Sequence, residues 1–182
     1  MENREERVLV LFDGSNFYHI LKNKEVGIQG TLKYRYRKIA EWLSGGRKIM
    51  DIRYYVGVAR FDKKDPQKSQ RIVSNQQKLF SELNNQEIKI VRGFMMKNNG
   101  IYHEKGVDVR IAVDMVVGAY ENEFDTAILI SSDTDLIPAV ENVVKRKKKI
   151  EYVGLTYRPS FGLMKKVTET RLLTRKELEK FQ

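Results

Sequence analysis

Residues 126–155 read TAILISSDTDLIPAVENVVKRKKKIEYVGL, and this stretch decides the fold. Thr126 to Ser132 is a short apolar run of the kind that forms a strand buried on both faces. It stops at Asp133-Thr134-Asp135, a cluster of turn and N-cap residues, and passes into a helical pattern from Leu136 to Lys147. Lys149 to Leu155 reads as a further strand. A strand, an acidic loop, a helix and a second strand in succession form a βαβ unit, whose two strands are parallel and joined across the sheet by the helix.

The same grammar recurs upstream. RVLVLF (7–12) is an apolar run that enters Asp13-Gly14-Ser15-Asn16 and then a helix. TLKYRYRKIAEWLSGG predicts a helix with Leu32, Tyr36, Ile39, Ala40 and Leu43 at helical spacing, stopped by Gly45-Gly46. KIMDIRYYVGVA (48–59) is strand-like, Asp65-Pro66 opens a long polar helix, and EIKIVRGFMM (87–96) is a strand before a turn at Asn98-Asn99-Gly100. After Gly106-Val107-Asp108, the near-complete apolarity of VRIAVDMVVGAY predicts a helix buried on much of its surface. The alternation predicts an α/β fold around a mostly parallel sheet. One domain is expected over residues 1–155. Residues 156–182 are expected as a C-terminal extension of short helices on or beside it, the last opened by Thr174 and Glu177 in capping-box spacing.

The chain has 182 residues, 41% of them hydrophobic, which suffices for the core of a single domain. The absence of cysteine excludes disulfide frameworks, thiolate zinc sites, Fe–S clusters and thiol catalysis. A net charge of +10 suits a polyanionic partner. No apolar run approaches the length of a membrane span and the first residues do not form a signal peptide, so a cytoplasmic protein without membrane contact is expected. Serine hydrolases, P-loop NTPases, Rossmann dehydrogenases and zincins lack their signatures here.

The acids fall where such a sheet keeps its ligand. Asp13 follows the first strand, Asp133 and Asp135 follow the strand at 126–132, and Asp108 opens the apolar helix. In open α/β sheets ligands bind beyond the carboxyl ends of the strands, where strand order reverses. Any one of these residues is an ordinary N-cap. Gathered on one rim, carboxylates about 4 Å apart repel by about 4 kcal/mol at an effective dielectric near 20, and a divalent cation relieves that repulsion. Without cysteine, and with only His19 and His103 as imidazoles, the ion is an oxygen-liganded Mg²⁺ or Mn²⁺, able to polarise a phosphodiester. Asp114 lies about 240° around the helix from Asp108, so Asp108 is taken as the ligand and Asp114 as structural.

Lys33, Arg35 and Arg37 alternate with Tyr34 and Tyr36, a pattern that suits backbone contacts and base stacking on a single strand, although Tyr36 also fits a core position. The run Lys145 to Lys149 reads either as a solvated turn at the negative end of a helix or as an RNA contact. His19 and His103 are expected at the surface, His19 six residues past Asp13. Asp133-Thr134-Asp135 is also similar to the DxD motif of haloacid-dehalogenase-like phosphatases. That motif normally opens its fold, and fewer than fifty residues follow it here.

DGSN (13–16), KGVDVRIAVDM (105–115) and SSDTD (131–135) together resemble, in order and spacing, the signature segments of the NYN domains, specifically the LabA-like group of the PIN-like nuclease superfamily. The resemblance implies a PIN-like three-layer α/β/α fold and, in many members, a hydrolase that cleaves RNA with Mg²⁺ or Mn²⁺. It carries Asp13, Asp108, Asp133 and Asp135 over as the acidic positions, Asn16 as the polar partner of the first, Ser131 as the serine of the SxD segment, and Lys105 as the basic residue before GVD. Ser132 stands where many members have Gly or Asn. Relatives outside the NYN group add a glutamate from an early helix, for which Glu41 is the candidate here. The expected partner is single-stranded RNA. A catalytically silent RNA-binding or regulatory module and a homo-oligomer built through the last helix are the competing expectations.

Overall fold

A computed structural model of the chain describes residues 5–28, 30–59, 61–98 and 101–182. β1 (Arg7–Asp13) leads without a break into α1 (Gly14–Lys22). A 3-10 turn (Thr31–Lys33) and α2 (Tyr36–Ser44) follow, then β2 (Lys48–Val58), α3 (Pro66–Asn85) and β3 (Lys89–Asn98). The chain reverses into β4 (Ile101–Lys105) and continues through α4 (Val107–Tyr120), β5 (Thr126–Ile130), a second 3-10 turn (Thr134–Leu136), α5 (Ile137–Lys145) and β6 (Lys149–Leu155). It closes with α6 (Phe161–Met164), β7 (Glu169–Leu173) and α7 (Arg175–Glu179). Asn99 and Gly100 of the expected turn lie outside the described residues.

The strands form one seven-stranded sheet in the order β4-β3-β2-β1-β5-β6-β7, antiparallel only between β3 and β4. β1 sits at the centre and the chain moves outward from it twice, first through β2 and β3 and later through β5, β6 and β7. Crossovers of one hand running in opposite directions put their helices on opposite faces. Val8, Val10 and Phe12 accordingly point into a core shared with α1, α2, α3 and α7, and Leu9 and Leu11 into a second core under α4, α5 and α6. The switch point between the two halves is the crevice beyond the carboxyl ends of β1 and β5.

The segment at 31–44 is not one helix. Tyr34 is extended at φ −64°, ψ 136°, and separates the 3-10 turn from α2. Residues two apart on a helix point in nearly opposite directions, whereas Tyr34 and Tyr36 are both buried, against Phe12, Phe17 and Tyr54 with ring centroids 5.3–6.1 Å apart. Opening the backbone between them lets both rings turn inward. Each hydroxyl then finds a carbonyl, Tyr34 donating to Leu178 O at 3.0 Å and Tyr36 to Thr31 O at 3.0 Å.

α4 also departs from expectation. Val107, Ile111, Met115 and Ala119 face the sheet, but Val109, Val113 and Val117 are exposed, because α4 belongs to the outer layer and only its inner side is covered. Two edge strands escape sequence reading. β4 is a short hairpin return, and β7 (ETRLL) buries fully only Leu173, so its alternation is weak. The C-terminal segment is therefore more than short helices. β7 pairs with β6 from Glu151↔Glu169 to Leu155↔Leu173, and Leu173, Leu178 and Phe181 complete the first core. α7 carries the capping box expected at Thr174 and Glu177.

A variant ending at Thr156 uncovers the edge of β6 and strips four buried apolar side chains, Leu163, Leu173, Leu178 and Phe181. It is expected to lose the cooperative thermal transition followed by circular dichroism. Phe181→Ala alone should cost about 3 kcal/mol in urea unfolding. A truncated chain that melted cooperatively at the wild-type temperature would contradict the integration of this segment.

Candidate metal centre

Asp13 is at once the last residue of β1 and the N-cap of α1, its carboxylate accepting from Asn16 N–H at 3.1 Å. The strand must turn into the helix with no room to spare, since a Cβ on Gly14 would stand 2.4 Å from the Tyr54 ring and 2.5 Å from the Tyr55 carbonyl oxygen. The other Asp13 oxygen accepts from the Ser131 hydroxyl at 2.7 Å, and Ser131 in turn accepts from Asp133 N–H at 3.1 Å. Asn16 ties the same two strand ends together, its Oδ1 accepting from Ser132 N–H at 3.2 Å. Two backbone-anchored bridges thus span the crevice between β1 and β5.

Asp108 arrives from the third segment. Gly106, with φ +77°, makes the left-handed step that starts α4 and puts Asp108 in its first turn, where the helix dipole favours an anion. One carboxylate oxygen from each of Asp13, Asp108 and Asp133 lies within 4.8 Å of the others. Asp13 is buried, Asp108 is exposed and Asp133 lies between. At 4.8 Å each pair of charges repels by about 3 kcal/mol at an effective dielectric near 20. Burial pushes the Asp13 carboxyl up to about 6; the hydrogen bonds from Ser131 and Asn16 oppose this, and the charges of Asp108 and Glu104 add to it. Asp108 is raised as well, first by burial and then by Asp133, Glu104 and Asp135. Three hard oxygen donors at this spacing, one of them a nearly dry carboxylate with no cation beside it among the described residues, fit Mg²⁺ or Mn²⁺.

The remaining sequence candidates divide. Asp135 is exposed in the second 3-10 turn, and its N–H donates to Asp133 Oδ1 at 2.9 Å; it lies near enough to raise Asp108 but outside the group of three. Lys105 ends β4 opposite Phe94, exposed at the same rim. Lys33 is exposed on the first 3-10 turn. Arg35 and Arg37 hold structure together: Arg35 donates to the carbonyls of Lys180 and Gln182, and Arg37 to those of Gln86 and Glu87. The rings between them are buried, which corrects the stacking role read for Tyr34 and Tyr36. Asp114 accepts from Tyr55 at 2.8 Å and pairs with Arg53 at 3.3 Å. Glu41 is exposed beside Arg37. The basic run 145–149 joins α5 to the start of β6, at the opposite rim of the sheet, where Lys148 and Lys149 pair with Asp125 and Glu6.

Glu104 is the acid that sequence reading missed. It lies on β4, its carboxylate accepts from Gly57 N–H, and its charge reaches Asp13 and Asp108. Its position two residues before Gly106 was the available signal, hidden because β4 itself was not recognised.

The family model described as NYN domain matches residues 7–170. No curated protein matches the chain in sequence. Among solved structures it is similar to a protein of unknown function from Vibrio parahaemolyticus, at 18% identity and a TM-score of 0.71, over 95% of this chain and 96% of that one. That likeness concerns the fold. No helix among the described residues is long and apolar enough to cross a membrane.

The burial of Asp13 has a thermodynamic signature in metal-free protein. The folded state keeps this proton up to about pH 6 while the unfolded chain releases it near 3.8, so the stability from this group falls as pH rises through that window and is flat above it. The folded anion is disfavoured by up to about 3 kcal/mol. In EDTA at pH 8, Asp13→Asn is expected to melt above wild type, and Mn²⁺ should raise the melting temperature of wild type but not of the variant. A lower melting temperature for the variant in EDTA would mean that the Ser131 and Asn16 hydrogen bonds outweigh the burial.

Proposed function

Because the chain belongs to the NYN domain family, within the PIN-like nuclease superfamily, we propose that it is a divalent-metal-dependent ribonuclease acting on single-stranded RNA. The observation that carries this reading is the convergence of Asp13, Asp108 and Asp133 at the switch point of the sheet. When bound there, Mg²⁺ or Mn²⁺ supplies a Lewis acid for the phosphodiester and lowers the pKa of water enough to make a nucleophile.

The protein's own groups do the rest. Asp13, held from both sides by Ser131 and Asn16, offers a carboxylate whose position cannot drift. Asp133 is oriented by its own N–H bond to Ser131 and by accepting from Asp135 N–H, so the two strand ends move as one unit. Asp135 stands beside the cluster as a further acceptor able to orient water. Lys105, exposed at the same rim, meets the phosphate backbone, with Lys33 as a more distant contact. Arg35 and Arg37 take no part in this grip because their guanidinium groups are already engaged.

Single-stranded RNA is expected to be cleaved in Mn²⁺ or Mg²⁺ and left intact in EDTA, with Asp13→Asn and Asp133→Asn each at least about a hundredfold slower, as for loss of a group acting on the transition state. If wild type cleaves no faster than Asp13→Asn, the enzymatic reading fails. RNA binding that is steeply salt-dependent, insensitive to EDTA and without cleavage would then identify a silent binding module.

A further inference from the structure

Beside the acidic cluster, between α1 and the segment that follows β6, lies a cavity of about 530 Å³. That is within the roughly 300–1,000 Å³ typical of small-ligand sites. The cavity and the acidic cluster share a wall. Asn16 and Ser132 line the cavity, and the same two residues are joined by the hydrogen bond that bridges β1 and β5 next to Asp13.

The chemistry of this cavity is opposite to that of its neighbour. Among the described residues no carboxylate lines it, and its walls hold donors whose needs the fold leaves unmet. The Arg158 guanidinium makes no hydrogen bond or ion pair among the described residues. Asn16 and Asn23 use their amide oxygens, accepting from Ser132 N–H and Glu25 N–H, and leave their NH₂ groups unbonded among the described residues. Ser160 is 9% exposed, and its buried hydroxyl has no hydrogen-bond partner among the described residues. A native fold seldom buries a hydroxyl without a partner, because doing so costs the full desolvation of the group. Two aromatic rings, His19 and the half-exposed Tyr157, complete the wall.

A ligand that answers this wall carries an anion for Arg158, a flat π-face for Tyr157 or His19, and several acceptor oxygens for the amides. A nucleotide has all three. We infer that the cavity takes one unstacked nucleotide of the RNA strand, adjoining the phosphate that lies over Asp13, Asp108 and Asp133; the inference rests on the ribonuclease reading. Arg158 meets the flanking phosphate, Tyr157 the base face, and the asparagine amides the oxygens of base or ribose. A nucleotide locked in a duplex cannot enter such a hole, which supplies the physical reason for a single-stranded substrate.

Binding of a short fluorescein-labelled single-stranded RNA, followed by anisotropy in EDTA, separates this subsite from the chemistry. Arg158→Ala and Tyr157→Leu should each weaken binding about tenfold or more, Tyr157→Phe should stay within about twofold of wild type, and a duplex of the same sequence should compete poorly. Asp133→Asn, which removes a charge that repels phosphate, should bind at least as well as wild type. Both cavity residues are exposed, so unchanged thermal melting confirms that the variants fold. Adenosine or uridine 5′-monophosphate should displace the RNA from wild type and not from Arg158→Ala. Unchanged binding by Arg158→Ala and Tyr157→Leu, or no binding by wild type, overturns the subsite. Wild type that binds through these residues yet cleaves nothing in Mn²⁺ overturns the ribonuclease reading and leaves the nucleotide site standing.

Discussion

The Asp13 carboxylate organises this molecule. It ends the central strand, caps the helix that leaves it, and is buried with, among the described residues, two hydrogen bonds and no positive charge beside it. A buried anion of this kind is a cost that a fold normally avoids. Here the neighbouring features all serve to hold it: Gly14 allows the tight exit into α1, Ser131 bridges it to Asp133, and Asn16 ties the loop after β5 to the same point. The two halves of the sheet diverge from β1, so the place where they meet is also the place where one strand end can be stapled to another. Architecture and chemistry coincide there for a topological reason.

Charge is partitioned over the sheet in a way that the total of +10 conceals. The carboxyl rim holds the acidic cluster, with Lys105 exposed nearby and the donor-rich cavity against Asn16 and Ser132. The amino rim holds the run 145–149, in which Lys148 and Lys149 pair with Asp125 and Glu6 and Arg146 lies over the Tyr120 ring. Arg7 strengthens that far network through Asp125, whose carboxyl is held well below the ordinary range by the hydrogen bonds from Arg7. On the proposed reading, a polyanion drawn by the overall field would meet Lys105 and Arg158 near the acids, two side chains with no ion pair among the described residues.

Local pattern was sufficient for the strands that are buried on both faces and for the acids at their ends. VLVLF and TAILI are short, continuous, β-branched-rich apolar runs bounded by turn residues, which reads as central strands, and a run of that kind followed by Asp-Gly-Ser-Asn or Ser-Asp-Thr-Asp leaves the Asp at a carboxyl end. It failed where a residue's fate depends on a partner distant in sequence. β4 and β7 are edge strands, half covered and weakly alternating, so their neighbours β3 and β6 make them strands more than their own residues do. Tyr34 and Tyr36 look like an exposed aromatic and basic stripe, and become core only because Phe12, Phe17 and Tyr54 present a ring-lined surface to them. Glu104 joined the site through a hairpin that residue pattern did not reveal.

Residue order alone carries the identity of the candidate ligands: hard oxygen donors, no sulfur, three segments at strand ends and a helix start. Hydrogen bonding and burial are local enough, or periodic enough, for that much to be written in one dimension. Distance is not. Whether Asp108 or Asp114 meets Asp13, whether Arg35 and Arg158 are engaged or available, and whether a cavity opens beside the acids all follow from side chains packed across long separations of chain, from 59 residues for Asp114 and Tyr55 to 145 for Arg35 and Lys180. Such contacts are set by the closure of the sheet and the volume left between its covering helices, and those exist only once the chain has folded.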